Sequence, residues 1–332
     1  MSDLPVQRAH LLPVVAAERR WLIEGLWATE AVGIVGGEPK CGKSFLALDM
    51  AVAVAAGQPC LRRFPVPQAG RVLLYAAEDA LPVVRQRLEG IAAAVGGALA
   101  DLDIHVITAP TLRLDLAADQ ERLAATAAQL RPRLLVLDPL VRMHRIDENA
   151  AAEVAPLLAY LRELQRRLAL AVVLVHHARK GAGHVRAGQA LRGSSELHAW
   201  GDSNLYLRRH GADLTLTVEH RAAASPADVP LALHADGDAL ALRVVAAPPV
   251  APAPTRDPAA TIAPALADAP TPLALADLRA ACHIRTADLC TALGALVRTG
   301  RVAKTAAGYA LADPREALST GAARPAGPEP AP

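Results

Sequence analysis

Gly37-Glu38-Pro39-Lys40-Cys41-Gly42-Lys43-Ser44 is the most informative segment of the chain. It fits the spacing G-x-x-x-x-G-K-[ST]. It follows the apolar run Val32-Gly33-Ile34-Val35 and opens the apolar stretch 45–56, the strand–loop–helix context that this spacing requires. Glycines let backbone N–H groups turn toward phosphate oxygens, and a helix N-terminus adds partial positive charge. In that arrangement Lys43 reaches the β- and γ-phosphates and the Ser44 hydroxyl ligates Mg²⁺. Gly37, Glu38, Pro39, Lys40, Cys41, Gly42, Lys43, Ser44 and Phe45 are therefore expected to form a triphosphate site, with ATP and Mg²⁺ as its ligands.

Outward from this loop, short apolar runs alternate with helix-length segments. The runs are 31–35, 72–76, 104–107, 134–137 and 171–175; the segments between them are 44–56, 81–94, 118–129 and 150–168. Near-continuous apolar strands separated by helices predict an α/β fold whose mainly parallel sheet is covered on both faces. Beyond residue 204 the pattern becomes short strands with turns (205–207, 214–218, 231–233, 240–244), expected as antiparallel additions to the sheet edge. The reading divides the chain into an N-terminal arm (1–27), an α/β domain (28–245), a Pro/Ala linker (246–258), a small second domain (259–312) and a disordered tail (313–332).

Composition fits this division. The 332 residues suggest two domains. A formal charge of +2 excludes a strongly basic coat protein or an acidic disordered chain. Hydrophobic residues at 52% suffice for a sizeable core. The four cysteines show no C-x-x-C pair, which argues against a disulfide scaffold and for a reducing compartment. The first residues do not read as a signal peptide, and no charge-free apolar run reaches 18 residues. A cytoplasmic location without membrane contact is expected.

Several charged side chains fall at predicted strand ends, where ligands of open α/β sheets bind. Leu134-Leu135-Val136-Leu137-Asp138 is a buried strand ending in a carboxylate, suited to hold a Mg²⁺ shell together with Ser44. Glu78 follows the strand 72–77 and can polarise a water for attack on the γ-phosphate; Asp79 is the competing choice. His176 and His177 end the strand 171–175, where one imidazole could contact the γ-phosphate.

The ordered set resembles the RecA-like ATPases (AAA-family P-loop NTPases), and most closely the RepA-type plasmid replicative helicases. The resemblance covers about residues 20–220. It rests on the phosphate loop, Tyr75-Ala76-Ala77-Glu78-Asp79, Val136-Leu137-Asp138-Pro139-Leu140, Val175-His176-His177-Ala178-Arg179-Lys180-Gly181 and Arg192-Gly193-Ser194-Ser195. It implies a RecA-like core with Glu78 as catalytic glutamate, Asp138 as the Mg²⁺-shell aspartate and His177 as the γ-phosphate-sensing histidine. It also implies a homo-oligomeric ring, such as a hexamer, with ATP between subunits. The implied function is a DNA helicase or translocase; the alternative is an ATP-gated DNA-binding regulator with little unwinding. In this family an arginine finger follows the R-G-S-S motif. The matching position here is Asp202, and the nearest arginines, Arg208 and Arg209, are the finger candidates.

The segment 179–195 carries Arg179, Lys180, His184, Arg186 and Arg192 among glycines, with no acidic residue. Such a loop suits a phosphate backbone, and by the resemblance Arg179, Lys180, Arg186 and Arg192 contact single-stranded DNA in a central channel. In the second domain, Leu275, Leu278 and Cys282 share one helix face, and Leu289, Leu293, Leu296 and Val297 share the next. A turn at 283–285 and a two-stranded wing from Arg301 to Leu311 complete a pattern that resembles a winged helix. Its candidate contacts to DNA, or to a protein partner, are Arg285, Thr286, Thr291, Arg298, Arg301 and Lys304.

Overall fold

A computed structural model of the chain describes residues 4, 6–12, 20–177, 195–211, 213–236, 239–246, 258–282 and 286–312. They fall into two compact units, one within 1–247 and the other within 248–332.

The first unit begins with a small antiparallel pair, β1 (Trp21–Ile23) and β2 (Trp27–Ala28). It continues with β3 (Val32–Gly37), α1 (Lys43–Ala56), β4 (Val72–Ala76), α2 (Leu81–Ala94), β5 (Ile104–Val106) and α3 (Ala117–Leu130). Then come β6 (Leu134–Asp138), α4 (Ala151–Leu168), β7 (Ala171–His177), α5 (Ser195–Trp200), β8 (Ser203–His210), β9 (Asp213–His220), β10 (Val229–Asp236) and β11 (Ala239–Val244). Nine strands form one sheet in the order β11-β10-β9-β8-β3-β7-β6-β4-β5. From β8 to β5 the neighbours run parallel, and from β8 to β11 they run antiparallel.

The apolar runs dictate this architecture. β3 and β6 are buried at every residue, as strands covered on both faces must be. Alternate side chains of β3 enter two different cores: Val35 joins α1 and α2, while Val32 and Ile34 join α3 and α4. On α4, Val154, Leu157, Leu158, Leu161 and Leu164 recur at spacings of three and four, giving one apolar stripe against the sheet. Leu214, Leu216, Val218, Leu231 and Leu242 join the core of α1 and α2, so the antiparallel strands share the α1 side of the sheet.

The stretch read as an N-terminal arm belongs to the core from Trp21 onward. Leu22, Ile23, Leu26 and Trp27 are buried. The Ala28 N–H donates to Ser203 Oγ at 3.1 Å, and His220 Nε2 donates to the Gly25 carbonyl at 3.1 Å. These ties come from β8 and β9, some 175 to 195 residues away in sequence, which is why local reading did not show them. Residues 247–257 and 313–332, read as linker and tail, lie outside the described residues.

The second unit contains α6 (Pro258–Ala267), α7 (Leu275–Cys282), α8 (Thr286–Arg298) and the antiparallel pair β12 (Val302–Thr305) and β13 (Gly308–Leu311). Its own core comprises Ile262, Leu266, Leu278, Cys282, Leu289, Leu293, Leu296 and Val302. Leu273 bridges to Tyr309, joining the segment before α7 to the ribbon. The helix α6 was not anticipated, because its Ala- and Pro-rich sequence resembles the linker before it.

An ion pair between a buried aspartate and a half-buried arginine fixes the helix that follows the phosphate loop. Asp49 of α1 is 1% exposed; it accepts a hydrogen bond from the Leu61 N–H at 2.7 Å and pairs with Arg62. Arg62 also donates to the Leu242 carbonyl of β11. Burial pushes the Asp49 carboxyl above its ordinary value, and the Arg62 guanidinium opposes that shift. Removing one partner leaves an uncompensated buried charge, at a cost of about 3–5 kcal/mol. All three tryptophans lie in the first unit (Trp21, Trp27, Trp200), so their emission reports its unfolding alone. Arg62→Ala is expected to lower the urea midpoint seen by tryptophan emission by the equivalent of about 3 kcal/mol. A loss below about 1 kcal/mol would contradict this account of the pair.

Candidate functional site

The site sits at the carboxyl edge of the parallel strands. Strand register aligns its parts: Gly37 of β3 pairs with His177 of β7, and Asp138 of β6 pairs with Ala76 of β4, two residues before Glu78. β7 lies between β3 and β6, so the imidazole of His177 stands between the phosphate loop and Asp138.

The loop itself is shaped by two glycines. A Cβ on Gly37 would lie 2.5 Å from the Leu207 carbonyl oxygen of β8 and 2.7 Å from Cys41 Sγ, so no larger residue fits. Gly42 caps α1 with φ 95°, in the left-handed region that disfavours other residues. Lys43 then folds back, and its Nζ donates to the Glu38 carbonyl at 2.8 Å. Lys43 is 5% exposed. Burial holds its ammonium below the ordinary lysine value, while the nearby Cys41, Asp138, Glu78 and Glu38 favour the charged form. The Cys41 thiol is raised by burial, and Lys43 and Arg209 pull the other way.

Asp138 is buried and bonded to the Ser44 side chain. Burial pushes its carboxyl up to about 6; Asp79 and Glu78 add to the rise, and Ser44 and Lys43 oppose it. A buried carboxylate with two further carboxylates beside it, opposed by one hydroxyl and one lysine, is under-compensated, which is the donor set a divalent cation satisfies. Ser44 and Asp138 thus fit the Mg²⁺ expected at this position.

Lys43, Ser44, Asp138, Glu78 and His177 line one cavity of about 330 Å³. Lys40, Gly42 and Phe45 of the loop line it too, and Leu214 and Leu242 supply an apolar wall beside Gly42. Glu78 is partly exposed, and its Oε1 accepts from Arg142 Nε at 2.9 Å. Asp79 instead pairs with Arg87 of α2, whose guanidinium lies 5.0 Å above the Phe45 ring. Of the two histidines, His177 borders the cavity and His176 is buried, its Nδ1 3.9 Å from Glu148 Oε1. Glu148 also pairs with His144 at 3.2 Å.

The arginine candidates separate. Arg209 lines the cavity of its own chain and Arg208 does not. Asp202, the position matched to the finger by the sequence resemblance alone, is engaged structurally: it pairs with Arg162 of α4 and, at 3.6 Å, with Arg221, and accepts from the Val32 N–H at 3.3 Å. Arg179, Lys180, Arg186 and Arg192 lie outside the described residues, as does Arg285 of the second unit.

Arg142, Arg87, Leu214 and Leu242 were not anticipated from the sequence. Arg142 had a signal. It follows Asp138 by four residues, and β6 neighbours the strand that leads to Glu78. The leucines had none, since strands far along the chain bring them to the loop.

A family described as AAA domain matches residues 2–183, more than half of the chain. This chain belongs to that family. The AAA domain match spans the phosphate loop, Glu78, Asp138 and His177. Among solved structures, the fold is similar to that described as "The Structure Of A DnaB-Like Replicative Helicase And Its Interactions With Primase". The two are 13% identical with a TM-score of 0.50, over 64% of this chain and 57% of that chain. At this identity the likeness shows the fold alone: a RecA-like P-loop core in the AAA domain, spanning little more than half of that helicase. No helix of the described residues is long and apolar enough to cross a membrane.

Lys43→Ala is expected to weaken binding of a fluorescent ATP analogue by about tenfold or more, because backbone donors alone do not offset the triphosphate charge. Titration at equal folding checks this, and unchanged affinity would remove the loop from the site.

Proposed function

We propose that this chain is an ATP-hydrolysing RecA-like motor of the RepA-type helicase group, working on DNA as a ring of identical subunits. The observation that carries the proposal is the convergence of Lys43, Ser44, Asp138, Glu78 and His177 on one cavity at the carboxyl edge of the sheet. A bound Mg²⁺ would neutralise charge on the phosphate oxygens. Ser44 and Asp138 would hold it, and Lys43 would leave the Glu38 carbonyl to meet the phosphates. Glu78 would release Arg142, accept a proton from water and orient that water toward the γ-phosphate. His177 ends the strand that leads directly into the basic segment 179–195. An imidazole that follows the γ-phosphate would therefore change the start of that segment and alter its hold on single-stranded DNA through Arg179, Lys180, Arg186 and Arg192.

The described residues of the second unit form three helices followed by a two-stranded ribbon, the element order of a winged helix. In this reading Thr286, Thr291 and Arg298 on α8, with Arg301 and Lys304 at the ribbon, contact DNA or a protein partner.

A second reading is an ATP-gated DNA-binding regulator with little unwinding. Two observations favour it: Asp202 stands in a structural ion cluster where the family pattern places a finger, and Glu78 is held by Arg142. An arginine finger is worth about 10³–10⁵ in rate.

Steady-state ATP turnover with and without single-stranded DNA, run beside a strand-separation assay, tests both readings. The motor reading predicts DNA-stimulated turnover and strand separation. It also predicts that Glu78→Gln binds ATP but hydrolyses about 10²-fold or more slowly. Binding without stimulation or separation selects the regulator. Undiminished hydrolysis by Glu78→Gln would contradict the assignment of the water-orienting residue.

A further inference from the structure

β8 runs parallel to β3 until Leu207 stands beside Gly37, and then extends three residues further, about 10 Å past the start of the phosphate loop. Side chains alternate along a strand. Leu205 and Leu207 enter the core that holds α1, whereas Tyr206 enters the core on the opposite face. Arg209 therefore emerges on the α1 side, beside the loop, and Arg208 on the other side. Arg209 is exposed and borders the cavity. The other arginine on that cavity, Arg87, is tied to Asp79, while no hydrogen bond or ion pair ties the Arg209 side chain to a described residue.

We infer that Arg209 grips the α- and β-phosphates of the nucleotide bound in its own chain, as a cis-acting binding residue rather than a finger across a subunit boundary. The inference rests on the nucleotide reading above and deepens it. Sheet order sets which phosphates it meets. β8 lies on one flank of β3, and β7, β6 and β4, which carry His177, Asp138 and lead to Glu78, lie on the other. The γ-phosphate, where water attacks, belongs to the flank of Asp138 and Glu78. A cation on the β8 flank meets the proximal end of the phosphate chain. The guanidinium fork suits adjacent phosphate oxygens, and a lysine there would act only as a point charge.

A ground-state contact and a finger differ in what they change. An arginine on the α- and β-phosphates binds ATP and ADP alike, so its loss raises KM and leaves kcat near its original value. A finger acts on the γ-phosphate in the transition state; its loss spares ADP and lowers kcat.

The experiment uses the full-length chain. Affinities for ATP and ADP are measured for the wild type, Arg209→Ala and Arg209→Lys at a dilution where light scattering shows single chains. Turnover is measured for each variant and for an equal mixture of Arg209→Ala with Lys43→Ala. The expected result is an affinity loss of about 10- to 100-fold for both nucleotides in Arg209→Ala, and a smaller loss in Arg209→Lys. The kcat should stay within a few-fold, and the mixture should show no activity beyond the sum of its parts. Unchanged ADP affinity in Arg209→Ala, or activity restored on mixing, would overturn the inference and return Arg209 to a role in trans. A wild type that binds neither nucleotide would overturn the nucleotide reading itself. Wild-type binding with an unaffected variant overturns only the role of Arg209.

Discussion

Parallel strand register is the constraint on which the rest of this structure depends. Gly37 and His177 stand side by side at the ends of β3 and β7, Asp138 ends β6 at the level of Val175, two residues earlier, and the chain leaves β4 for Glu78 at the same edge. None of these residues is near another in sequence. Each is delivered by a strand whose position is fixed by apolar side chains in the two cores. The chemistry of the site is thus a consequence of packing several residues away. A one-residue slip of β7 would exchange His177 for His176 at the cavity and turn the wrong imidazole toward it.

The loop between β3 and α1 adds a second constraint. Gly37 packs its bare backbone on the Leu207 carbonyl of β8, so the phosphate loop and β8 hold each other in place. The Asp49–Arg62 pair, with the Leu242 carbonyl, fixes α1 against β11. These contacts bring Arg209, Leu214 and Leu242 to the loop. They make the antiparallel half of the sheet part of the nucleotide site as well as an edge extension. The charge balance of the cavity follows: a buried lysine and a buried aspartate face each other, with more carboxylates near Asp138 than cations free to meet them. A cation bound between Ser44 and Asp138 would redress that balance.

Much of this was legible in the sequence, for identifiable reasons. The strands β3 and β6 are buried throughout, and β4 and β7 at all but their last residue, so their apolar runs are continuous and announce themselves. Lys43, Ser44 and Asp138 sit within or directly after such runs. Glu78 and His177 needed a family likeness to single them out from Asp79 and His176. The structure separates each pair by its partners, Arg142 and Arg87 for the acids and Glu148 for the buried histidine. What was not legible is long-range. The β1–β2 pair looked like an arm because its anchors are Ser203 and His220. Arg209 could not be distinguished from Arg208 until the parity of β8 was fixed by Leu205 and Leu207. The helix α6 was hidden because its one apolar spacing, Ile262 to Leu266, is set among alanines and prolines like those of the linker before it.

One nucleotide is expected to lie along this strand edge with its terminal phosphate toward Asp138. A structure of the chain with Mg²⁺ and a non-hydrolysable ATP analogue tests it most directly. The expected result is the phosphates within the loop 37–44, the ion between Ser44 and Asp138, and the γ-phosphate on the Glu78 side of β3. Nucleotide bound away from the loop, or lying with its γ-phosphate on the β8 side, would contradict it.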